Sequence, residues 1–249
     1  MKALRPFLIA LQFLTRFPVR LDGMPEEREI GRSLLYYPLV GLLIGLLLAG
    51  LDWLLGNVGT LLAAAVVLAF WVLASGALHL DGLADSADAW VGGAGDRERT
   101  LAIMKDPYCG PMGVTALVLV LLLKFAVLEE LAARGDWTVL LVAPLLGRTA
   151  LPALFLTTDY VRPGGLGAAL ARHFPRGAAA GAVALVLFGL LLLLGWGIAA
   201  PLLAGIVAFA VMRAMMVKRL GGTTGDTAGA MVEIIEAAVL LGAVLGASI

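Results

Sequence analysis

Three aspartates on one helical stripe form the first group of residues in this sequence that has chemical potential. The stretch His79-Leu-Asp-Gly-Leu-Ala-Asp-Ser-Ala-Asp88 places Asp81, Asp85 and Asp88 at positions i, i+4 and i+7. On an α-helix of about 3.6 residues per turn, these side chains project within roughly 60° of one another. Two carboxylates about 4 Å apart repel by about 4 kcal/mol at an effective dielectric of about 20, so the stripe favours a bound cation.

The stripe predicts a magnesium site with Asp81, Asp85 and Asp88 as ligands. Mg²⁺ binds through one or two carboxylates together with phosphate oxygens of a substrate. The alternative is an acidic helix end that is solvated and binds nothing. The metal site is favoured because an apolar segment precedes the stripe, and ionisable groups at membrane depth usually have a function. The spacing lacks the loop ligands and terminal Glu of an EF-hand.

A loop rich in Pro and Gly follows, from Lys105 to Gly113. Backbone N–H groups at a helix start can hold phosphate, which makes Gly110 a candidate substrate contact. Lys105 would add positive charge, and Asp106 is a candidate substrate contact, metal ligand or base. The alternative is an ordinary turn in which Lys105 only sets membrane topology.

A second glycine-rich loop, Gly221-Gly-Thr-Thr-Gly-Asp-Thr-Ala-Gly229, opens the last apolar segment. Glycines allow backbone to approach a ligand closely. Asp226 is therefore predicted to be a second-site metal ligand or a base. The alternative is helix packing through glycines with threonines as caps. The predicted substrate contacts of this loop are Gly222, Thr223, Thr224 and Gly225.

Two further side chains are candidates for catalysis. Arg148 lies near the middle of an apolar segment, where an unpaired guanidinium costs about 2.5–3.5 kcal/mol. It is predicted to contact a substrate phosphate or to pair with a carboxylate such as Glu233. His79 is either a general base or a packing residue. Lys124 can extend its amine to the interface and needs no special role.

The elements that must position these groups are membrane-spanning helices. Of the 249 residues, 61% are hydrophobic and only 14% are charged, whereas soluble domains carry about 25% charged residues. Met1–Phe17 is not predicted to be a cleavable signal, because Pro6 and Arg16 interrupt it; 3–15 is predicted to be a short interfacial helix. Six or seven spans of about 20 residues are predicted in one domain covering 1–249. The candidates are Leu34–Leu55, Leu61–Leu78, Val114–Leu128, Thr138–Leu156, Ala178–Gly195, Ile198–Val217 and Gly229–Ile249.

The basic residues predict the orientation of these spans. With the N-terminus in the cytoplasm, 15 of the 18 Lys and Arg fall in the inside segments and only Arg134 falls in an outside loop. Cytoplasmic loops of membrane proteins carry such an excess. The polar clusters then share the cytoplasmic face of the cell inner membrane, and we expect a wide cavity between the spans there.

Composition excludes several classes of site. The formal net charge is zero, which argues against nucleic-acid binding. A single cysteine, Cys109, rules out an intrachain disulfide and a multi-cysteine metal centre. Two histidines argue against a histidine-rich metal site. Membrane lipid is an expected partner, and a homo-oligomer is compatible with the sequence.

Five blocks in order along the chain resemble the cobalamin synthase family, the adenosylcobinamide-GDP ribazoletransferases. His79-Leu-Asp-Gly-Leu-Ala-Asp85 and Gly221–Gly229 are the specific ones, and Tyr108-Cys109 is a mild departure in a variable stretch. The other blocks are Leu11-Gln-Phe-Leu-Thr-Arg-Phe-Pro18, Tyr37-Pro-Leu-Val-Gly41 and Ile103-Met-Lys-Asp-Pro107.

The resemblance implies a magnesium-dependent reaction. α-Ribazole or its 5′-phosphate would attack adenosylcobinamide-GDP, giving adenosylcobalamin or its phosphate and releasing GMP. Within that reaction, the metal ligands are assigned as Asp81, Asp85, Asp88 and Asp226, and the catalytic groups as Asp226, His79, Lys105 and Arg148. One rival is a CDP-alcohol phosphotransferase, whose acidic motif this sequence does not reproduce. A transporter is the other, although no internal repeat is visible.

Overall fold

The computed structural model describes residues 4–56 and 58–246, and it is helical almost throughout. Within those ranges no β-strand occurs; an isolated parallel bridge joins Tyr160 to Thr223. The prediction of an all-α fold is confirmed. The predicted start of the interfacial helix at residue 3 and the end of the last span at 247–249 lie outside the described residues.

Twelve α-helices follow one another along the described part of the chain. Most are long, apolar and joined by short turns, as membrane helices are. They are α1 (Arg5–Leu14), α2 (Glu27–Ser33), α3 (Tyr37–Leu54), α4 (Thr60–Ser75), α5 (Leu78–Gly92), α6 (Arg97–Ile103), α7 (Pro111–Arg134), α8 (Thr138–Thr157), α9 (Gly165–Arg172), α10 (Arg176–Leu194), α11 (Ala199–Leu220) and α12 (Gly225–Gly246).

Five helical segments are long and apolar enough to cross a membrane, and six if the bent pair α4–α5 counts as one span. The chain is thus a polytopic membrane protein, as predicted. One boundary prediction was wrong: the third span is not the short Val114–Leu128 but the 24-residue helix Pro111–Arg134. Its last turns hold Glu129, which accepts a hydrogen bond from Thr60, so the carboxylate has a partner and does not end the helix.

The 45-residue segment Arg176–Leu220 crosses the bundle twice. Arg176 at its start donates to the backbone of Phe155 at the end of α8. Arg213, near its other end, donates to the neighbouring carbonyl of Thr157. The two halves therefore run in opposite directions from a 3₁₀ turn at Gly195–Ile198. With Arg176–Leu220 counted as two spans, the described segments give six spans, or seven if the bent pair α4–α5 is one span, and both numbers agree with the predicted six or seven.

Helix α8 forms the centre of the bundle. Most of its side chains are buried, including Leu154 and Ala143. It packs against α3 and α12, and backbone contact is close because Gly41 lies against the carbonyl of Pro144. In contrast, leucines on α10 such as Leu185 and Leu193 are largely exposed. Since lipid is as apolar as these side chains, this outer surface suits a bilayer.

The break between α4 and α5 orients the acidic stripe. The two helices meet at an angle of 87°, across Gly76 and Ala77, which both have positive φ. A positive φ costs little for glycine but is unfavourable for alanine. The bend turns α5 away from the α4 axis and across the beginning of α12, where the candidate site forms.

Candidate functional site

A cavity of about 560 Å³ opens where α5 crosses the start of α12. The charged residues of its lining, called the polar side below, are Asp81, Asp226, Lys105 and Arg162. The apolar and aromatic residues of its lining, called the aromatic side below, are Phe13, Tyr37, Leu78, Leu151, Phe155, Tyr160 and Leu170. A cavity of this size holds one small organic ligand. The prediction of a cavity between the spans is therefore confirmed, and its opening to the cytoplasm stays a prediction.

Two glycines allow α5 and α12 to approach closely enough to unite the predicted acidic groups. A Cβ at Gly82 would lie only 2.6 Å from the carbonyl oxygen of Asp226. At the next contact, a Cβ at Gly229 would lie 3.4 Å from the Cα of His79. The crossing brings Asp81 on α5 beside Asp226 on α12, although they are far apart in sequence.

Asp226 forms an ion pair that the sequence analysis missed. Its Oδ2 lies 2.8 Å from Nη1 of Arg162, and both side chains are partly exposed to the cavity. The segment before Arg162 is fixed by two backbone hydrogen bonds to Thr223, one donated by Val161 and one accepted by Asp159. The available signal was a basic residue in a predicted inside loop directly before Pro163-Gly164.

Tyr160 contributes both a ring and a hydroxyl to the cavity wall. Its ring stacks on Phe155 with centroids 6.1 Å apart and lies so close to Gly167 that a Cβ there would clash. Burial raises the pKa of the Tyr160 phenol, while the Arg162 guanidinium opposes that shift and the Asp226 carboxylate adds to it. The phenol is therefore protonated near neutral pH and can donate a hydrogen bond.

The three carboxylates of the acidic stripe have different surroundings. Asp81 is exposed and lines the cavity. Asp85 is half-buried behind it and feels the charges of Asp81, Asp226 and Asp88. Asp88 instead accepts hydrogen bonds from the backbone N–H groups of Gly110, Met112 and Gly113. A carboxylate at a helix start satisfies orphan N–H groups and favours the helix dipole, so the geometry gives Asp88 a capping role for α7.

The arrangement fits magnesium only together with a substrate. Among residues 4–56 and 58–246, no group of three or more His, Cys, Asp or Glu side chains is arranged to hold a metal ion. Asp88 caps α7, and Asp226 pairs with Arg162. Asp81 and Asp85 remain as the one or two carboxylates that would hold Mg²⁺ if phosphate oxygens completed its shell.

The residues of the Lys105 loop also differ in whether they reach the cavity. Lys105 is exposed and lines the cavity on its polar side. Asp106 is also exposed, and its carboxylate accepts the N–H of Tyr108 in a local turn. Gly110 does not reach the cavity: it lies against Asp88, where a Cβ would be 2.5 Å from the carboxylate oxygen. The geometry places Gly110 in the cap of α7 rather than beside a ligand.

The threonines of the last glycine loop form the start of α12. Thr224 and Thr227 exchange side-chain to backbone hydrogen bonds of 2.9 and 3.2 Å, a reciprocal cap. Thr223 is fully buried and bonds to the Thr227 hydroxyl. A Cβ at Gly222 would strike the carbonyl of Asp159. Gly222, Thr223 and Thr224 therefore serve helix packing and capping, which was the alternative to their predicted role as substrate contacts. Gly225 lines the cavity together with Asp226.

A second charged cluster lies inside the bundle, where two positive side chains match two negative ones. Lys124 lies 2.6 Å from Glu233 and 2.5 Å from Glu236, and Arg148 forms an ion pair with Glu236. All four side chains are at least nine-tenths buried. The interpretation of Lys124 as a residue that reaches the interface was wrong, since it is buried between two carboxylates and over the Trp71 ring.

Arg148 does not line the cavity within the described structure. Its predicted pairing with a carboxylate is present, but the partner is Glu236 rather than Glu233. Its guanidinium also lies 3.4 Å from Nδ1 of His79. Because Arg can only donate, this weak contact makes Nδ1 the acceptor and places the proton of a neutral imidazole on Nε2. His79 is buried and lies between this charge cluster and the cavity.

The fold and the site define a polytopic membrane protein with a cavity that is acidic on one side and aromatic on the other. The family model described as "CobS: Cobalamin-5-phosphate synthase" matches residues 6–244. The chain belongs to that family.

Curated relatives with the name adenosylcobinamide-GDP ribazoletransferase support the assignment. Those from Pseudomonas putida strains GB-1 and KT2440 are 61% and 60% identical over 241 residues, covering 97% of this chain and 99% of theirs. The relative from Pseudomonas fluorescens strain Pf-5 is 61% identical over 241 residues, covering 96% of this chain and 99% of its own. No solved structure matches the chain.

Proposed function

We propose that this protein joins α-ribazole, or its 5′-phosphate, to the adenosylcobinamide phosphate of adenosylcobinamide-GDP and releases GMP. Family membership supports the reaction, since its matched relatives are ribazoletransferases. The single observation that carries the site assignment is the meeting of Asp81, Asp226, Arg162 and Lys105 in the lining of one cavity. That side has the charges needed to hold a diphosphate and to accept a proton.

The cations bind the diphosphate. Arg162 is partly exposed, and its guanidinium can leave Asp226 for phosphate oxygens, which it binds with charge-assisted hydrogen bonds. Lys105, on an exposed loop at the cavity, adds a second positive charge. Together they stabilise the negative charge that develops on the departing GMP.

Asp226 accepts the proton. A hydroxyl oxygen on the ribose ring of α-ribazole, which is free in the 5′-phosphate as well, forms a bond to the cobinamide-side phosphorus, and the bond from that phosphorus to the bridging oxygen breaks. GMP leaves with that electron pair. Once phosphate has taken Arg162, the Asp226 carboxylate is free to receive the hydroxyl proton. The adjacent crossing at Gly82 holds it beside Asp81.

Magnesium dependence is part of the proposal. Asp81, with Asp85 behind it, would hold the ion against the diphosphate of the substrate. When bound, Mg²⁺ supplies Lewis-acid stabilisation of phosphate charge. The role of the chain is to present two neighbouring carboxylates at the cavity while Asp88 is held by the start of α7.

The proposed location is the cell inner membrane with the cavity facing the cytoplasm. The excess of basic residues near this end of the bundle supports that orientation. Cys109 is the only cysteine of the chain, and it is exposed in the Lys105 loop at the cavity end. A membrane-impermeant maleimide should therefore label it in inside-out vesicles and leave it unlabelled in right-side-out vesicles. The reverse pattern would contradict the orientation.

GMP formation by the purified protein in lipid nanodiscs tests the proposed function. Adenosylcobinamide-GDP and α-ribazole are supplied separately and together, with Mg²⁺ or with EDTA. GMP is expected only when both substrates and Mg²⁺ are present. CDP-diacylglycerol with an alcohol acceptor serves as the comparison. Release of CMP there, without GMP from the corrinoid substrate, would overturn the proposal.

A further inference from the structure

The aromatic side of the cavity has no role in the proposed chemistry, yet its rings are arranged in pairs. Phe155 and Tyr160 stack with an interplanar angle of 13°. Phe13 and Tyr37 stack at 29° with centroids 6.3 Å apart. These pairs come from different parts of the chain and meet on one cavity. Such a surface favours a planar apolar ring over a charged or flexible group.

The size of the cavity limits what can enter it. About 560 Å³ suits a single drug-sized molecule. A corrinoid that carries an adenosyl group and a nucleoside diphosphate is several times larger. Only part of that substrate can reach the polar side, whereas a nucleoside fits within the cavity as a whole.

The chemistry of the wall separates the two nucleosides of the reaction. Guanine has donors and acceptors on its edge, and a buried site for it must satisfy them. The described residues that line the aromatic side include no Asn, Gln, Ser or Thr, so tyrosine hydroxyls are their only side-chain hydrogen-bonding groups, too few for the guanine edge. The base of α-ribazole is a benzimidazole whose edge is apolar except for one free ring nitrogen, an acceptor for which a single donor such as the Tyr160 hydroxyl suffices. Its ribose would then extend towards Asp226.

We propose that the aromatic side of this cavity is the binding site for the benzimidazole ring of α-ribazole, with the corrinoid and the guanosine outside it. The inference rests on the proposed function for the identity of the substrate. It assigns the cavity to the nucleophile and places Phe155, Tyr160 and Phe13 in recognition of its base.

The test compares ring-removing variants with a matched control. Phe155→Leu removes a ring from the wall, and Phe13→Leu removes one from the more exposed helix α1, where the fold is less at risk. Phe188→Leu changes a phenylalanine that is 61% exposed on α10 and does not line this cavity. Binding of α-ribazole alone is measured through its benzimidazole fluorescence, and the KM of each substrate through GMP release.

Both cavity variants should weaken α-ribazole binding and raise its KM by about tenfold, the usual effect of losing one stacking ring. The KM for adenosylcobinamide-GDP should change by less than about twofold, and Phe188→Leu should match the wild type. Unchanged α-ribazole binding in folded Phe13→Leu and Phe155→Leu would overturn the assignment. So would a rise confined to the KM for adenosylcobinamide-GDP.

Failure of the proposed transfer and failure of the proposed α-ribazole site give different experimental results. If the wild type binds α-ribazole through these rings but forms no GMP, the assignment of the cavity stands and the proposed transfer fails. If GMP forms normally while the ring variants bind α-ribazole as the wild type does, the transfer stands and the assignment fails.

Discussion

Two charged clusters lie close together in this protein and differ in how their charges are paired. In the bundle interior, Lys124, Arg148, Glu233 and Glu236 are buried, and two positive groups match two negative ones. At the cavity, carboxylates gather on one side, and the main ion pair, Asp226 with Arg162, is partly exposed. Removal of one partner from a buried, charge-matched cluster is strongly destabilising, whereas an accessible and incompletely matched cluster can bind a ligand.

His79 connects the two clusters. It touches Arg148 of the interior cluster and also lines the cavity. The two regions therefore lie next to each other, and variants on either side can tell them apart. A variant of the interior cluster should lower the free energy of unfolding and leave turnover per folded molecule intact. A variant of the cavity should lower turnover and leave the free energy of unfolding intact.

Breaking the interior cluster should have the largest effect. Glu236→Gln leaves Arg148 without its partner, so the free energy of unfolding should fall by about 3–5 kcal/mol. Thermal unfolding in detergent measures this. Glu130→Gln is the matched control, because Glu130 forms only an exposed pair with Arg134. The double variant Arg148→Met with Glu236→Gln should recover stability. A stable Glu236→Gln protein that has lost turnover would instead support the predicted catalytic role of Arg148.

Removing the proposed base should have the next largest effect. Asp226→Asn should lower the rate of GMP formation by about 10²–10³-fold, the usual contribution of a general base, with little change in thermal unfolding. Asp22→Asn, at an exposed loop carboxylate, is the control and should be fully active. Equal rates for the two variants would show that Asp226 does not take part.

Substitution of Arg162 tests whether this residue, which was not predicted from the sequence, binds the substrate. Arg162→Gln should raise the KM for adenosylcobinamide-GDP by about tenfold or more, because a charge-assisted hydrogen bond is worth about 1.5–3 kcal/mol. The KM for α-ribazole should be unaffected. Arg20→Gln, at another exposed arginine, should behave as the wild type. Steady-state kinetics with each substrate varied in turn decide the question, and an unchanged KM would restrict Arg162 to pairing with Asp226.

The smallest expected effect separates Asp88 from its neighbours on the stripe. Asp88→Ala should lower the free energy of unfolding by about 1 kcal/mol through loss of the α7 cap. Asp96→Ala, which removes the cap of α6, should cost a similar amount. Metal binding in the presence of substrate should be unchanged in both. Loss of metal binding by Asp88→Ala alone would restore Asp88 as the ligand that its spacing predicted.

The sequence predicted the helices and the pass count because apolar length and loop charge are local properties. The acidic stripe was also visible, since Asp81, Asp85 and Asp88 share one α5 face. Which of them meets the cavity depends on α7, whose N–H groups hold Asp88. That contact joins residues over twenty positions apart and leaves no pattern in the sequence.

Arg162 and Arg148 are a second case in which the sequence does not show which residue reaches the cavity. Both are basic residues in or beside apolar segments, and sequence alone favoured Arg148 because of its depth. The structure places Arg148 beside Glu236 and Arg162 in the cavity. The difference arises from the backbone bonds between Asp159–Val161 and Thr223. Such pairing of distant loops becomes apparent only in three dimensions.

Metal binding by the cavity carboxylates is the most direct test of the account. Mn²⁺ serves as a paramagnetic substitute for Mg²⁺, and free Mn²⁺ is followed by electron paramagnetic resonance during titration of the protein with adenosylcobinamide-GDP present. Asp81→Asn should weaken Mn²⁺ binding by at least about tenfold relative to the wild type and to Asp22→Asn. Equal Mn²⁺ affinity in all three proteins would contradict the assignment of the cavity as the metal-assisted transfer site.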